Sequence, residues 1–176
     1  MWTGPLRVEG YIKVSLLMVY PVMTRDALIM LGCPKFPVQT SLAIYLGHRL
    51  AGEGISPVFA GNKSTVALLE TADPEGWYLG GGCMDLDEVI GALSEGRLDF
   101  DLCVVFVHSD ADTAYLATVL ALSDGLVVAI VFGRNVEGLE ERCREVGCDR
   151  IVAARAVHNP LPLKEKIDGV KRWLPV

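Results

Sequence analysis

The sequence predicts a three-layer α/β/α domain with a mostly parallel, Rossmann-like sheet of about six strands. Three observations carry this. From Ala27 onward, short apolar and β-branched runs alternate with helical patterns, as consecutive βαβ units require. The runs ALIML (27–31), LCVVFV (102–107) and LVVAIVF (126–132) are continuous rather than alternating, which implies strands covered on both faces. Hydrophobic residues make up 51% of a 176-residue chain, enough for a single substantial core.

Taken in order, the strand at 27–31 leads through the turn GCPKFP into a helix starting near Pro37, since proline suits the first helical position. Leu42, Tyr45, Leu46 and Leu50 continue it at helical spacing until Gly52 and Gly54 end it. A strand at 57–60 precedes a helix capped by Asn62, which stops before Asp73-Pro74-Glu75-Gly76. A short strand is expected at 77–79. The glycines at 80–82 then open a helix with Asp85 as cap and Glu88 completing a capping box, ended by Gly96. The second half adds strands at 102–107, 126–132 and 151–154, with helices at 111–122, 136–146 and about 160–174. The helix at 111–122 is apolar nearly all round, broken only by Asp112, Thr113 and Thr118, so a homodimer using it is expected.

Residues 1–22 are set apart as an N-terminal extension, leaving a domain of 23–176. Their apolar stretch is short for a bilayer span and is interrupted by Lys13, Ser15 and Pro21, so no membrane association is expected. A formal charge of −6 with scattered basic residues argues against a nucleic-acid partner. Five cysteines, odd in number and without a CxxC pair, fit reduced thiols in a cytoplasmic setting.

Three stretches resemble one family. These are Gly32-Cys33-Pro34 with Pro37-Val38-Gln39-Thr40 and Leu42-Ala43-Ile44-Tyr45; Ala72-Asp73-Pro74-Glu75-Gly76; and Ala153-Ala154-Arg155-Ala156 with His158-Asn159-Pro160. Together they resemble conserved Rossmann-like proteins of unknown function from methanogenic archaea. The resemblance runs from about Met23 to the C-terminus and implies the same fold and an archaeal cytosolic setting, without a reaction.

In an open parallel sheet, ligands bind beyond the carboxyl ends of the strands, where loops and helix N-termini converge. Cys33 follows the first strand, His108 and Asp110 the strand at 102–107, Arg134 the strand at 126–132, and Arg155 with His158 the last. For a strand order 3-2-1-4-5-6, the Cys33 and His108 loops flank the point where the order reverses. Cys33, beside a helix N-terminus, is either a nucleophile with a lowered pKa or a small filler in a proline-flanked turn. His158 is either its base or a loop residue beside a cap formed by Asn159 and Pro160. No nucleotide motif is present, and two prolines in the first turn remove N–H donors that a pyrophosphate cradle needs. A metal site of Cys33, His108 and His158 would draw on three loops without local spacing, and no metal is assigned.

The leading expectation is therefore a protein that binds a small anionic metabolite or cofactor, its identity open, through Gly32, Gln39, Thr40, Ser41, Arg155 and Asn159. One alternative is an enzyme using Cys33 and His158 as catalytic residues; another is a non-catalytic interaction subunit.

Overall fold

The computed structural model describes residues 25–175, so the extension at 1–22 lies outside the described residues. Strands β1 (Arg25–Leu31), β2 (Ile55–Gly61), β3 (Cys83–Asp85), β4 (Leu102–Val107), β5 (Leu126–Val131) and β6 (Ile151–Ala153) form one sheet in the order β3-β2-β1-β4-β5-β6. Every neighbouring pair is parallel. Helices α1 (Val38–Gly52), α2 (Lys63–Ala72), α3 (Leu86–Ser94), α4 (Asp110–Leu122), α5 (Val136–Glu145) and α6 (Leu161–Asp168) alternate with the strands.

Side chains alternate across the sheet, so each continuous apolar run feeds two cores. Ala27, Ile29 and Leu31 of β1, with Val104 and Phe106 of β4, pack against Leu42, Leu46 and Leu50 of α1 and Leu163 and Ile167 of α6. Leu28, Met30, Cys103 and Val105 point the other way, onto Val89 and Leu93 of α3, Leu116 and Val119 of α4, and Leu139 and Cys143 of α5. All six residues of β4 are buried, and truncating Phe106 to alanine there should cost about 3–5 kcal/mol. Among the described residues, no helix is long and apolar enough to cross a membrane.

Two elements differ from the sequence expectation. Residues 77–79 are not a strand, because their backbone N–H groups are already committed. The buried Asp73 carboxylate accepts from Trp77 N at 2.9 Å, Tyr78 N at 2.7 Å and Leu79 N at 3.0 Å. The third strand forms instead at Cys83–Asp85, where the chain pairs with Phe59–Gly61 of β2. Burial opposes the charge on Asp73, but the three N–H donors outweigh it and hold the carboxyl below its usual range. The last helix ends at Asp168, before Gly169, while Trp173 and Leu174 reach the same core without being helical. Asp168 locks α6 to α1, accepting from Tyr45 Oη at 2.5 Å, Arg49 at 2.7 Å and Lys164 at 2.7 Å.

Helix α4 is less greasy at its surface than its composition implies. It buries Asp112, Thr113, Leu116 and Val119, and the residues it exposes after Asp110 are Ala111, Ala114 and Ala121.

Candidate functional site at the reversal of strand order

The strand order reverses between β1 and β4, the position where an open α/β sheet presents a crevice at its C-terminal edge. Among the described residues, the buried polar side chains are Gln39, Thr65, Asp73, His108, Asp112 and Thr113. Four of these, Gln39, Thr65, His108 and Asp112, gather around Gly32 at this reversal.

Gly32 is the hub. Its carbonyl accepts from Gln39 Nε2 at 3.1 Å and from Thr65 Oγ1 at 2.7 Å, tying the end of β1 to the first turns of α1 and α2. A side chain has no room there, since a Cβ on Gly32 would lie 1.9 Å from Asp112 Oδ1. Asp112 in turn accepts from His108 N at 3.0 Å and Ser109 Oγ at 2.7 Å, and His108 Nδ1 lies 2.9 Å from the same oxygen. The ring approach is oblique, so this contact is electrostatic rather than a well-aligned hydrogen bond. Burial works against ionisation of Asp112, but the donors from His108 and Ser109 outweigh it and keep its carboxyl below the usual range. Gln39 Oε1 is buried without a partner.

Phe36 packs over this reversal. Its ring meets the His108 ring edge-on at 5.4 Å between centroids and the Phe132 ring at 6.1 Å. It reaches across β4 to Gly133, where a Cβ would stand 3.0 Å from Phe36 Cε2. Gly133 N donates to Ala156 O at 3.1 Å, so the loops after β1, β5 and β6 form one continuous ridge. Lys35, Arg134 and Arg155 stand exposed along it, and among the described residues none forms a salt bridge.

Of the residues expected at the site, Gly32 and Gln39 are at its centre, Thr40 is half-buried, and Ser41 is exposed with its hydroxyl donating to Val38 O at 3.1 Å. Cys33 is exposed on the β1 loop. The other thiols are held back by burial, which pushes those of Cys103 and Cys143 up to about 11. Arg155, His158 and Asn159 follow β6, three inter-strand spacings or about 14 Å of sheet from the Cys33 loop. Asn159 Oδ1 accepts from Leu161 N at 3.0 Å, the geometry of a helix cap. Among the described residues, no three His, Cys, Asp or Glu side chains are grouped to hold a metal ion.

Nothing in the sequence marks Phe36, and Asp112 stands there only as a polar break in an apolar helix. Ser109 and Asp112 stand in the S-x-x-D spacing of a capping box at the end of the most apolar strand, which was the signal available for the second.

Sizeable concavities lie elsewhere. One of about 610 Å³ sits at the N-terminal edge of the sheet, lined by Asp26, Asp99, Asp101 and Asp124 among others. Another of about 570 Å³ is lined by Thr113 of α4 and by residues of α5.

Residues 28–170 match the model of a family described as a domain of unknown function (DUF1890), and the chain belongs to that family. It is 33% identical over 146 residues to the uncharacterized protein MJ0452 of Methanocaldococcus jannaschii, covering 82% of this chain and 96% of the relative. The solved structure of MT0777 superposes with a TM-score of 0.75 at 39% identity, covering 84% of this chain and 99% of that one.

Proposed function

With membership of this family as the premise, we propose that the chain binds a small anionic metabolite or cofactor on the ridge above Phe36. The observation that carries the reading is the row of exposed cations Lys35, Arg134 and Arg155 along the ridge that starts at the α1 N-terminus of an acidic protein, none of them in a salt bridge among the described residues. The first turn of α1 holds no acidic residue, so nothing in it competes for the partial positive charge of the helix end. Arg134 and Arg155 offer planar forks to a carboxylate or phosphate, and Lys35 adds a point charge at the other end of the ridge.

Calorimetric titration with inorganic pyrophosphate tests this. The double variant Arg134→Ala/Arg155→Ala should bind at least about tenfold more weakly than wild type, as loss of about 1.4 kcal/mol in charge-assisted contacts requires. Equal affinity would remove the ridge as the site.

A second reading, an enzyme that uses Cys33 as nucleophile, is favoured by one observation: Cys33 is the exposed cysteine of the five and lies on the same loop. In that case Cys33→Ser leaves anion binding intact and abolishes turnover, and Cys33 is alkylated much faster than a free thiol near neutral pH. His158 as its base requires the β6 loop to approach the β1 loop.

A further inference from the structure

We infer that a hydrogen-bond acceptor subsite lies beneath Phe36, built from His108 and Gln39, and that the ligand carries a hydroxyl or amide donor beside its anionic group. The inference rests on the anion-binding reading and adds the chemistry of the second half of the ligand.

Gln39 is 1% exposed and its orientation is fixed, because only Nε2 can donate to Gly32 O; Oε1 is thereby turned away as an acceptor without a donor. A buried acceptor left in this state costs about 1–3 kcal/mol, and of the neighbouring polar groups only His108 Nδ1, which meets Asp112 obliquely, is also short of a well-aligned hydrogen bond. Thr65 and Ser109 use their hydroxyls, and Asp112 is well supplied with donors. His108 presents a second acceptor. Although the approach is oblique, the negative charge of the Asp112 carboxylate 2.9 Å from Nδ1 assigns the ring proton of a neutral imidazole to that nitrogen, which leaves the Nε2 lone pair as the acceptor.

The His108 ring lies under a cover that can be lifted cheaply, and Gln39 follows that cover three residues on, at the start of α1. Phe132 on one side of the His108 ring is a core residue with no exposure, whereas Phe36 is half-buried on a loop. The backbone hydrogen bonds of that loop are local: Lys35 N donates to Cys33 O at 2.8 Å, and Phe36 O accepts from Gln39 N at 3.1 Å. Swinging the ring away from Gly133 and His108 therefore breaks aromatic contacts without breaking a hydrogen bond to the sheet. A ligand donor then replaces the ring edge against His108 while its anionic group meets the exposed cations above.

The three histidines provide the test, since His48 and His158 are exposed and serve as internal standards for His108. Acylation by diethyl pyrocarbonate is followed at each site by mass spectrometry. An opening populated at about 0.1–10% slows His108 roughly 10- to 1,000-fold relative to the standards, and Phe36→Ala should recover most of that factor while His48 and His158 keep their rates. Phe36→Leu, which keeps the cover and protects against a folding artefact, should fall between. His108 acylated as fast as the standards in wild type, unreactive in wild type throughout the time course, or unchanged by Phe36→Ala, overturns the gate. The donor is tested with two esters: glycerol 3-phosphate should protect His108 in wild type and n-propyl phosphate should not. Equal protection by both overturns the acceptor subsite, and so does protection by neither when both bind. If neither ester shifts the backbone amides of residues 38–40, the anion reading itself has failed, and the acylation rates measured without ester still decide the gate.

Discussion

The two edges of the sheet handle polar groups in opposite ways. At the N-terminal edge, Asp26 and Asp101 exchange backbone-to-carboxylate hydrogen bonds at 3.0 and 3.4 Å. Asp99 there accepts from Phe100 N at 2.8 Å, Ser123 Oγ at 2.5 Å and Asp124 N at 3.0 Å. These carboxylates close the turns that start β4 and β5. At the C-terminal edge, among the described residues, Gln39 Oε1 has no donor, His108 Nδ1 is poorly aligned, and Lys35, Arg134 and Arg155 form no salt bridge. The carboxylates at the first edge are consumed in holding the fold, with Trp173 Nε1 the unpartnered buried donor there; at the second, an acceptor and exposed cations are left open. That is the difference expected between an edge that positions strands and an edge that meets a ligand.

The sharpest way to break the open edge is through its hub. Gly32→Ala forces a Cβ into Asp112 Oδ1, and because that carboxylate is fixed by His108 and Ser109, the loss should be about 3 kcal/mol or more in urea unfolding. A loss under about 0.5 kcal/mol would mean that Asp112 moves freely and that the buried cluster is not rigid.

Acid should act on both edges with the same sign. Asp112 at one edge, Asp99 at the other and Asp73 in the turn after α2 have folded pKa values held below the ordinary range. Each therefore contributes stability that is present above its unfolded pKa of about 3.9 and is lost as pH falls through the folded value. Thermal melting should stay flat at neutral pH and fall below about pH 4. Asp112→Asn should lower stability at pH 7 by about 2 kcal/mol, since an amide keeps one acceptor and turns a donor toward its neighbours. It should also reduce the acid dependence. A variant with an unchanged acid limb would place the titrating groups elsewhere.

The fold was legible in the sequence wherever burial left a single reading. Continuous apolar runs placed β1, β4 and β5, because such runs suit strands covered on both faces. The third strand was misplaced because Trp77-Tyr78-Leu79 is apolar; which carboxylate takes its N–H groups is a matter of three-dimensional turn geometry. That Gly32, Cys33 and Arg155 follow strand ends, and that Gln39 opens the helix after the first, was legible from the pattern of apolar runs. Phe36 could not, since an aromatic residue in a turn has no periodicity and its importance comes from spanning β4 to reach Gly133. The ridge that joins the β1, β5 and β6 loops is likewise a tertiary fact.

Smallest in stability are changes on the rim. Arg155→Lys is exposed and should alter folding by no more than about 0.5 kcal/mol, yet weaken pyrophosphate binding, since an ammonium cannot reproduce the planar fork. If the binding constant is unchanged, Arg155 is a bystander and Arg134 with Lys35 carries the contact.

The contrast between the edges is tested most directly by titrating inorganic phosphate into isotopically labelled protein and following backbone amide resonances. Saturable shifts are expected at residues 38–40 and 133–134, with residues 99–101 and 124–126 unmoved. Shifts confined to the N-terminal edge, or none at the C-terminal edge at phosphate concentrations of about 10–50 mM, well above the millimolar range of weak binding, would contradict that contrast.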